Sequence, residues 1–548
     1  MRAIVAAIAL TLLLAVTACS PAVSGPGTSQ VLRLNLSGEP ATLDPARASW
    51  AGEVAVIRQV FQGLLGFNHD LTLRPVVAQE VPSAANGGIS PDGRTLLFRL
   101  RQGVRWSDGE PVTARDFEYG LKRLLDPAIG ARYASFYYAI VGAREYNTAK
   151  DTDDAGKSAL RDRVGVRALD DRTLEIRLAE PRYSFLHLMA LWPAYPVRRD
   201  MIEKYGDRWI EPATYIGNGP FKVTEWAHQD HITLETNANY WGTRPKLDKL
   251  VLRMVKDENV AYVSYLRGEL ELAAVPAGNE KAVMEDGALS KEIVRYNALS
   301  TFALQFNLKV APFDNKKLRQ AIALAVDRDS FISKVRSGVG RPAYSWVPPG
   351  MPGHDPALGK QYSFNPPQAR QLLAEAGYPE GKGLPALKFQ YSDVGANKTI
   401  GEFLQAQLKE NLGIPLALEP MEPRAFSQMV NERKHTWAFF GWNADYPDPD
   451  NWLSEIFASG SRLNSTGYSN ARFDELVQRA KAETEPQKRL ALWSEAQRMM
   501  VDDVPAVFLY HRERFFLKKP YVLGLTTTGM DGLIPGDFFL GQVYIAPH

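Results

Sequence analysis

The chain has 548 residues, of which 45% are hydrophobic and 23% charged, a balance that excludes a disordered chain and a multi-span membrane protein. At about 150 residues per domain, three or four domains are expected, with clefts between them. The 64 Lys and Arg nearly cancel the 62 Asp and Glu, for a formal net charge of +2, which lacks the basic excess of a nucleic-acid surface.

The chain begins MRAIVAAIALTLLLAVTACS, where Arg2 precedes an apolar run over residues 3–16 and small residues stand before Cys19. That is the form of a secretory signal. Cys19 is the single cysteine, so an exported chain has no internal disulfide, and structural thiolate metal sites are excluded. The run VTAC resembles the lipobox of bacterial lipoproteins. The resemblance implies a signal peptide over residues 1–18 and a diacylated Cys19 at the new N-terminus, held at a membrane by about 0.8 kcal/mol per buried methylene. An ordinary signal with a chance cysteine is the alternative. Residues 19–30 then read as a flexible tether, rich in Pro, Gly and Ser. No later run is long and apolar enough to span a bilayer.

Period-two alternation predicts strands at Leu32, Leu34 and Leu36, at Leu96, Phe98 and Leu100, and at Leu174, Ile176 and Leu178. Thr113 with Asp116 three residues on predicts a capped helix presenting Phe117, Leu121 and Leu124 on one face. Asn365 as N-cap, Pro366 at the first helical position, Gly377 past the end and Pro379 beyond it predict another helix. Strands and helices are mixed throughout, so the class is α/β, with sheets covered by helices.

Motifs of common enzymes are missing. Gly338, Gly340 and Ala343 fall in a GxGxxA spacing, but the run follows a helical pattern rather than a strand, and Pro342 stands where the next helix should start, so no dinucleotide site is assigned. No phosphate-binding GxxxxGK[ST], HExxH or GxSxG run occurs. His228 and His231 in HQDH read as surface residues, since a zinc or copper site needs further converging ligands. No metal, cofactor or catalytic residue is assigned.

Residues 441–453, GWNADYPDPDNWL, place Asp445, Asp448 and Asp450 beside Trp442 and Trp452. The stretch is open to four readings: a turn, a metal loop, a pair of catalytic carboxylates, or a carboxylate set among aromatics to hold a cation.

Four stretches together carry a resemblance: SPDGRTLLFRLRQGVRWSDGEPVTARDFEYGLKRLLDP at residues 90–127, GNGPFKVTEW followed by NANYWG, FALQFNLKVAPFDNKKLRQAIALAVDRD, and GWNADYPDPDNWL. In order and spacing they resemble the bacterial extracellular solute-binding proteins of family 5, the receptors of peptide and nickel importers, and most closely their oligopeptide receptors. The resemblance implies a periplasmic-binding-protein-like fold of two lobes (type II) with an inserted domain and a ligand cleft between the lobes. It places lobe I at 31–65, 193–297 and 511–548, domain II at 66–192 and lobe III at 298–510. Two chain crossings would let the lobes close as rigid bodies.

The same resemblance implies a membrane-tethered monomeric receptor outside the cytoplasm that does no chemistry. It would capture short peptides and pass them to the permease and ATPase subunits of an ABC importer. Asp445 matches the carboxylate that pairs with the peptide ammonium, with Trp442 and the WAFF strand at 437–440 as a low-dielectric wall. Gly441 and Asn443 are expected to flank the ligand through their main chains, Tyr133 to line the cleft, and Ser49, Trp50 and Ala51 to meet the peptide along a lobe I strand edge. Asp448 and Asp450 are expected to be turn and helix-cap residues. Val430 and Phe439 stand where the oligopeptide receptors offer arginines to the ligand carboxylate, with Arg433, Lys434 and Arg424 as the nearest substitutes. A non-peptide solute such as an oligosaccharide, heme or a nickel chelate is the alternative cargo, and an exported hydrolase with paired carboxylates the more remote one.

Overall fold

The structure, a computed structural model, describes residues 29–149 and 152–548. The signal segment, Cys19 and all but the last two residues of the expected tether lie outside the described residues.

The chain folds into two α/β lobes. A four-stranded sheet has the order Val31–Asn35, Lys249–Arg253, His231–Thr236, Phe221–Ala227, its first pair parallel and the others antiparallel. Leu32, Leu34 and Leu36 are buried in its core, as their alternation requires. Leu96 and Phe98 lie in the strand Thr95–Arg99 and Leu174 and Ile176 in Thr173–Arg177; the two strands pair antiparallel in a separate three-stranded sheet with Val166–Asp170. The helix Ala114–Leu124 packs on that sheet, with Phe117, Leu121 and Leu124 fully buried. Asp116 closes its first turn by accepting from the Thr113 N–H at 2.7 Å. The helix Pro366–Glu375 is capped as expected, the Asn365 side chain accepting from the Gln368 N–H at 3.2 Å and Gly377 adopting φ +96°.

The largest sheet has seven strands. Its path runs Leu272–Ala274, Ala506–Lys518, Ile293–Phe306, Trp437–Asn443, Leu387–Ser392, Leu416–Met421, with Arg341–Pro342 on the side of Ala506–Lys518. Leu387–Ser392 and Leu416–Met421 are parallel and are joined by the helix Asn397–Leu412, the crossover a parallel pair needs. The two longest strands, Ile293–Phe306 and Ala506–Lys518, bind the lobes together. Near one end of them Glu271 bridges to Arg33 of the four-stranded sheet; at the other they carry Trp437–Asn443. Their ladder is interrupted between Asn297, opposite Glu513, and Thr301, opposite His511.

Among the described residues no helix is long and apolar enough to cross a membrane, and no group of three or more His, Cys, Asp and Glu could hold a metal ion. His228 pairs with Glu39 at 2.8 Å, and His231 with Asp230 at 2.8 Å and Glu225 at 3.2 Å. Gly338 and Gly340 form a left-handed loop, at φ +79° and +117°, after the helix Arg328–Val335.

Candidate functional site

The strand Trp437–Asn443 pairs along one whole edge with Ile293–Phe306, from Phe306 opposite Trp437 to Ser300 opposite Asn443. On its other edge only Ala438 is paired, with Gln390. Among the described residues, the outer backbone of residues 439–443 therefore has no strand neighbour. Gly441 sits here because Phe302 lies across it: a Cβ would come within 2.3 Å of the ring. The Phe302 ring is in turn stacked between Phe439 and Tyr510, at 5.7 and 4.8 Å. Asn443, at the exposed end of the strand, accepts a hydrogen bond from the Ser300 hydroxyl.

Beyond this strand the chain turns sharply and its three aspartates take different directions. Asp445 is partly exposed but enclosed by protein on most sides. Asn451, fully buried, donates from Nδ2 to Asp445 Oδ2 at 3.1 Å, and its Oδ1 accepts from the Asp445 backbone N–H at 2.9 Å and from Trp442 Nε1 at 3.3 Å. Burial pushes the Asp445 carboxyl up to about 6; the Asn451 bond opposes the rise, the Glu455 charge adds to it, and Arg132 acts downward. Among the described residues no Lys or Arg forms an ion pair with Asp445. It is a poorly solvated carboxylate without a counterion, and such a group favours an incoming cation.

Asp448 and Asp450 do more than shape a turn. Asp448 does accept from the Asp450 N–H at 2.9 Å, as a turn residue does, but its carboxylate is buried in a bidentate pair with Arg489, at 2.7 and 2.6 Å. The Asp450 side chain caps no helix. It is fully buried and accepts from Arg182 at 2.9 Å, the Ser184 hydroxyl at 2.7 Å and the Tyr446 hydroxyl at 3.1 Å. Burial alone would raise the Asp450 carboxyl, but the charges of Arg182 and Lys481 and the Ser184 bond hold it well below the usual carboxylate range. The expected cap is thus replaced by an internal ion pair, because a guanidinium 268 residues upstream reaches the carboxylate first.

Tyr133 belongs to the same site. It packs edge-on against Trp192 at 4.9 Å and Phe136 at 5.2 Å, and Phe136 meets Tyr446 at 6.4 Å. Burial pushes the Tyr133 hydroxyl up to about 12, with the Asp445 charge the next contributor. Trp192 donates to the Ala48 carbonyl at 3.1 Å, which brings residues 48–51 to the same wall. Ser49, Trp50 and Ala51 do not form a strand edge. They lead into the helix Ala51–Val60, and the Ser49 and Trp50 N–H groups, which a strand would offer to a neighbour, both donate to the buried Glu53 carboxylate at 2.9 and 3.0 Å.

The three basic substitutes considered for the ligand carboxylate are directed elsewhere. Arg433 donates to the Ser461 carbonyl at 3.1 Å, Lys434 pairs with Glu432 at 2.7 Å, and Arg424 stands exposed in the first turn of the helix Pro423–Asn431. Val430 is buried. Asn451, Glu53 and Trp192 escaped the sequence reading. Asn451 was visible only as the residue after a third aspartate, and nothing in the local pattern joins Trp192 to Ala48. A cavity of about 610 Å³ lies at the other end of the helix Ala51–Val60, against Arg58, Arg74 and Trp241, and includes none of these residues.

Comparisons with known proteins agree with this architecture. Residues 72–464 match the family model described as bacterial extracellular solute-binding proteins, family 5 Middle. The chain is 33% identical to the dipeptide-binding protein DppE of Bacillus subtilis, over 90% of this chain and 89% of that protein. It is 30% identical to the periplasmic oligopeptide-binding protein OppA of Salmonella typhimurium, covering 100% of this chain and 99% of that one. Among solved structures it is similar to the unliganded open form of the periplasmic murein tripeptide-binding protein MppA, with a TM-score of 0.82 and 27% identity over 95% of this chain and 98% of the other. The chain belongs to the bacterial extracellular solute-binding proteins of family 5.

Proposed function

We propose that the protein is the extracytoplasmic receptor of an ABC importer that captures short peptides between its lobes and delivers them to a membrane permease. The observation that carries this reading is the pairing of two features among the described residues: a poorly solvated Asp445 carboxylate with no ion-pair partner, and next to it the unpaired backbone edge of residues 439–443. An extended peptide adds to such an edge through its main chain, which supplies affinity whatever its side chains are, while its terminal ammonium meets Asp445 in a charge-assisted hydrogen bond. Gly441 and Asn443 present the backbone, Trp442 and Tyr133 wall the ammonium site, and residues 49–51 close it from the opposite lobe.

The partition into lobe I (31–65, 193–297, 511–548), domain II (66–192) and lobe III (298–510) belongs to this proposal. The ladder break between Asn297 and Thr301 supplies the hinge, since strands that lose register there can swivel without breaking a continuous set of hydrogen bonds. The receptor works as a monomer, anchored by acylated Cys19 and exposed outside the cell membrane, and performs no chemistry.

The test is thermal unfolding with mixed tri- to pentapeptides bearing free or N-acetylated amino termini. Ligand at a hundredfold excess over Kd stabilises the native state by about 2.7 kcal/mol. Stabilisation by the free peptides, lost on acetylation, is the expected result. No response to either pool would reject a peptide cargo.

A further inference from the structure

The cavity of about 610 Å³ at the C-terminal end of the helix Ala51–Val60 stands apart from the Asp445 site. Its lining includes Arg58, Arg74, Arg101, Arg244 and Lys246 but no Asp or Glu among the described residues. From Ala51, beside the Asp445 wall, to Arg58 is seven residues of helix, about 10 Å. Remote parts of the chain build the cavity. The hairpin of Leu65–Phe67 and Leu73–Pro75 supplies Arg74, and Arg101 follows the strand Thr95–Arg99. The loop between the strands His231–Thr236 and Lys249–Arg253 supplies Tyr240, Trp241, Arg244 and Lys246.

Two of these guanidiniums are held in place with their forks free. Arg74 donates from Nε to the Phe67 carbonyl at 3.0 Å, and Arg101 from Nε to the Ala78 carbonyl at 3.1 Å. Each is thereby fixed at one nitrogen, while among the described residues its two terminal nitrogens have neither a hydrogen-bond partner nor an ion pair. Such a fork matches two oxygens of an oxyanion and loses little freedom in binding it.

The surroundings do not neutralise this charge. Arg58 is paired with Asp537 at 2.7 Å, behind the wall, and lies over the Phe538 ring at 3.7 Å. Lys246 is set 4.2 Å from the Tyr544 ring. Among the described residues, Arg74, Arg101, Arg244 and Lys246 form no ion pair. Asp70, next to His69 of the lining, spends its carboxylate on the Thr72 hydroxyl and N–H at 2.6 and 3.0 Å. Burial lowers the Arg74 guanidinium from its ordinary value; the Tyr240 and Tyr195 hydroxyls, rather than a carboxylate, oppose the fall, and Arg101 adds to it.

The rest of the wall is aromatic. Tyr240 and Trp241 lie with ring centroids 5.7 Å apart, and Trp241 is anchored by donating from Nε1 to the Asn218 carbonyl at 3.2 Å. Phe539 meets His69 at 5.0 Å. A cavity of this volume suits a small organic ligand, and a bare inorganic ion would leave the rings unused.

We infer that this cavity binds a phosphate monoester, its phosphate held by the terminal nitrogens of Arg74 and Arg101 and its organic body laid against Tyr240 and Trp241. The exposed Arg244 and Lys246 add charge. Phosphate fits better than carboxylate because two forks and two further cations face it, and a monoester offers about two negative charges on three acceptor oxygens. The ester is a soluble molecule or the headgroup of an anionic lipid. The site is independent of the peptide reading.

The test is calorimetry at constant ionic strength with phenyl phosphate, inorganic phosphate, benzoate and phenol. Phenyl phosphate is expected to bind the wild type about tenfold or more tighter than inorganic phosphate or benzoate, with phenol silent. Arg74→Gln and Arg101→Gln should each weaken phenyl phosphate about tenfold or more, the loss of a charge-assisted contact. Should either fail to fold, Arg244→Gln, at an exposed position, carries the comparison with a loss of about two- to fivefold. Asp445→Asn should bind phenyl phosphate as the wild type does, and Arg74→Gln should keep wild-type peptide affinity, so failure of the peptide reading and failure of this one are told apart. Sedimentation with vesicles of phosphatidylcholine, pure or mixed with phosphatidic acid, separates the sources. Capture by the phosphatidic acid vesicles that Arg74→Gln abolishes assigns the lipid headgroup; phenyl phosphate binding without such capture assigns a soluble ester. Benzoate bound as tightly as phenyl phosphate, affinities unchanged in all three arginine variants, or a wild type that takes neither ester nor vesicle would overturn the inference.

Discussion

Asn451 holds Asp445 at two points, donating to the carboxylate Oδ2 at 3.1 Å and accepting from the backbone N–H at 2.9 Å. The carboxylate is thereby fixed in orientation and deprived of solvent without being neutralised. Such a group serves ligand binding at the expense of the empty fold, so Asp445→Asn should separate the two. Loss of the counter-charge to a buried ammonium is expected to weaken peptide binding by roughly 2 to 5 kcal/mol. The unliganded variant should meanwhile melt no lower than the wild type at pH 8. Calorimetry and a thermal melt on the same preparation check both halves; intact affinity would remove Asp445 from the ammonium site.

The raised carboxyl sets a pH dependence whose sign differs between binding and folding. Asp445 rises from an ordinary 3.8 to about 6 in the folded empty protein, so the native state binds this proton more tightly than the unfolded chain. The group therefore favours the fold at low pH and loses that contribution as pH rises through about 6. The melting advantage of Asp445→Asn should then appear above pH 6 and vanish near pH 4. Peptide binding needs the ionised carboxylate and the protonated amino terminus, whose ordinary pKa is about 7.7 to 8.0, so its affinity should be greatest near pH 7, fall below pH 6, approaching tenfold per pH unit, and fall again above pH 8. A binding curve flat from pH 5 to pH 8 would show that no such proton is displaced.

Beneath the site, Arg489 and Asp448 form a bidentate ion pair that is almost fully buried on both sides. Removing one partner strands the other charge, so Arg489→Met should cost about 3 to 5 kcal/mol in urea unfolding. Replacing both, Arg489→Met with Asp448→Leu, should recover much of that loss, because the desolvation of both charges disappears with them. A double variant as unstable as the single one would show that the pair is needed for packing and not for charge balance.

Local pattern and long-range pairing divide what the sequence disclosed. The alternation of Leu96 and Phe98, the Thr113 and Asp116 start and the Asn365 cap all depend on neighbours within a few residues, and each is found where the pattern puts it. Asp450 was expected to cap a helix because its neighbours are prolines and a helical run; its actual partners, Arg182 and Ser184, lie in a distant segment that no spacing rule reaches. Residues 49–51 illustrate the other kind of failure. A strand edge and a helix start both leave N–H groups free in sequence, and only the arrival of Glu53 under Ser49 and Trp50 decides between them.

Gly441 offers the most local test of the proposed peptide edge. Its missing side chain admits the Phe302 ring, and a Cβ would meet ring atoms at 2.3 and 2.4 Å. Gly441→Ala must therefore displace either the ring or the strand. If the strand moves, the backbone of residues 439–443 no longer lies where a peptide can pair with it, and affinity should fall at least tenfold with a stability loss of about 1 to 3 kcal/mol from overpacking. Adding Phe302→Leu replaces a planar ring by a smaller, branched side chain and should restore binding more fully than stability, because the cavity left between Phe439 and Tyr510 carries its own cost. Wild-type affinity in Gly441→Ala, measured by calorimetry with the free peptide pool in a variant whose crystal structure shows the strand displaced, would mean that the ligand does not use this edge.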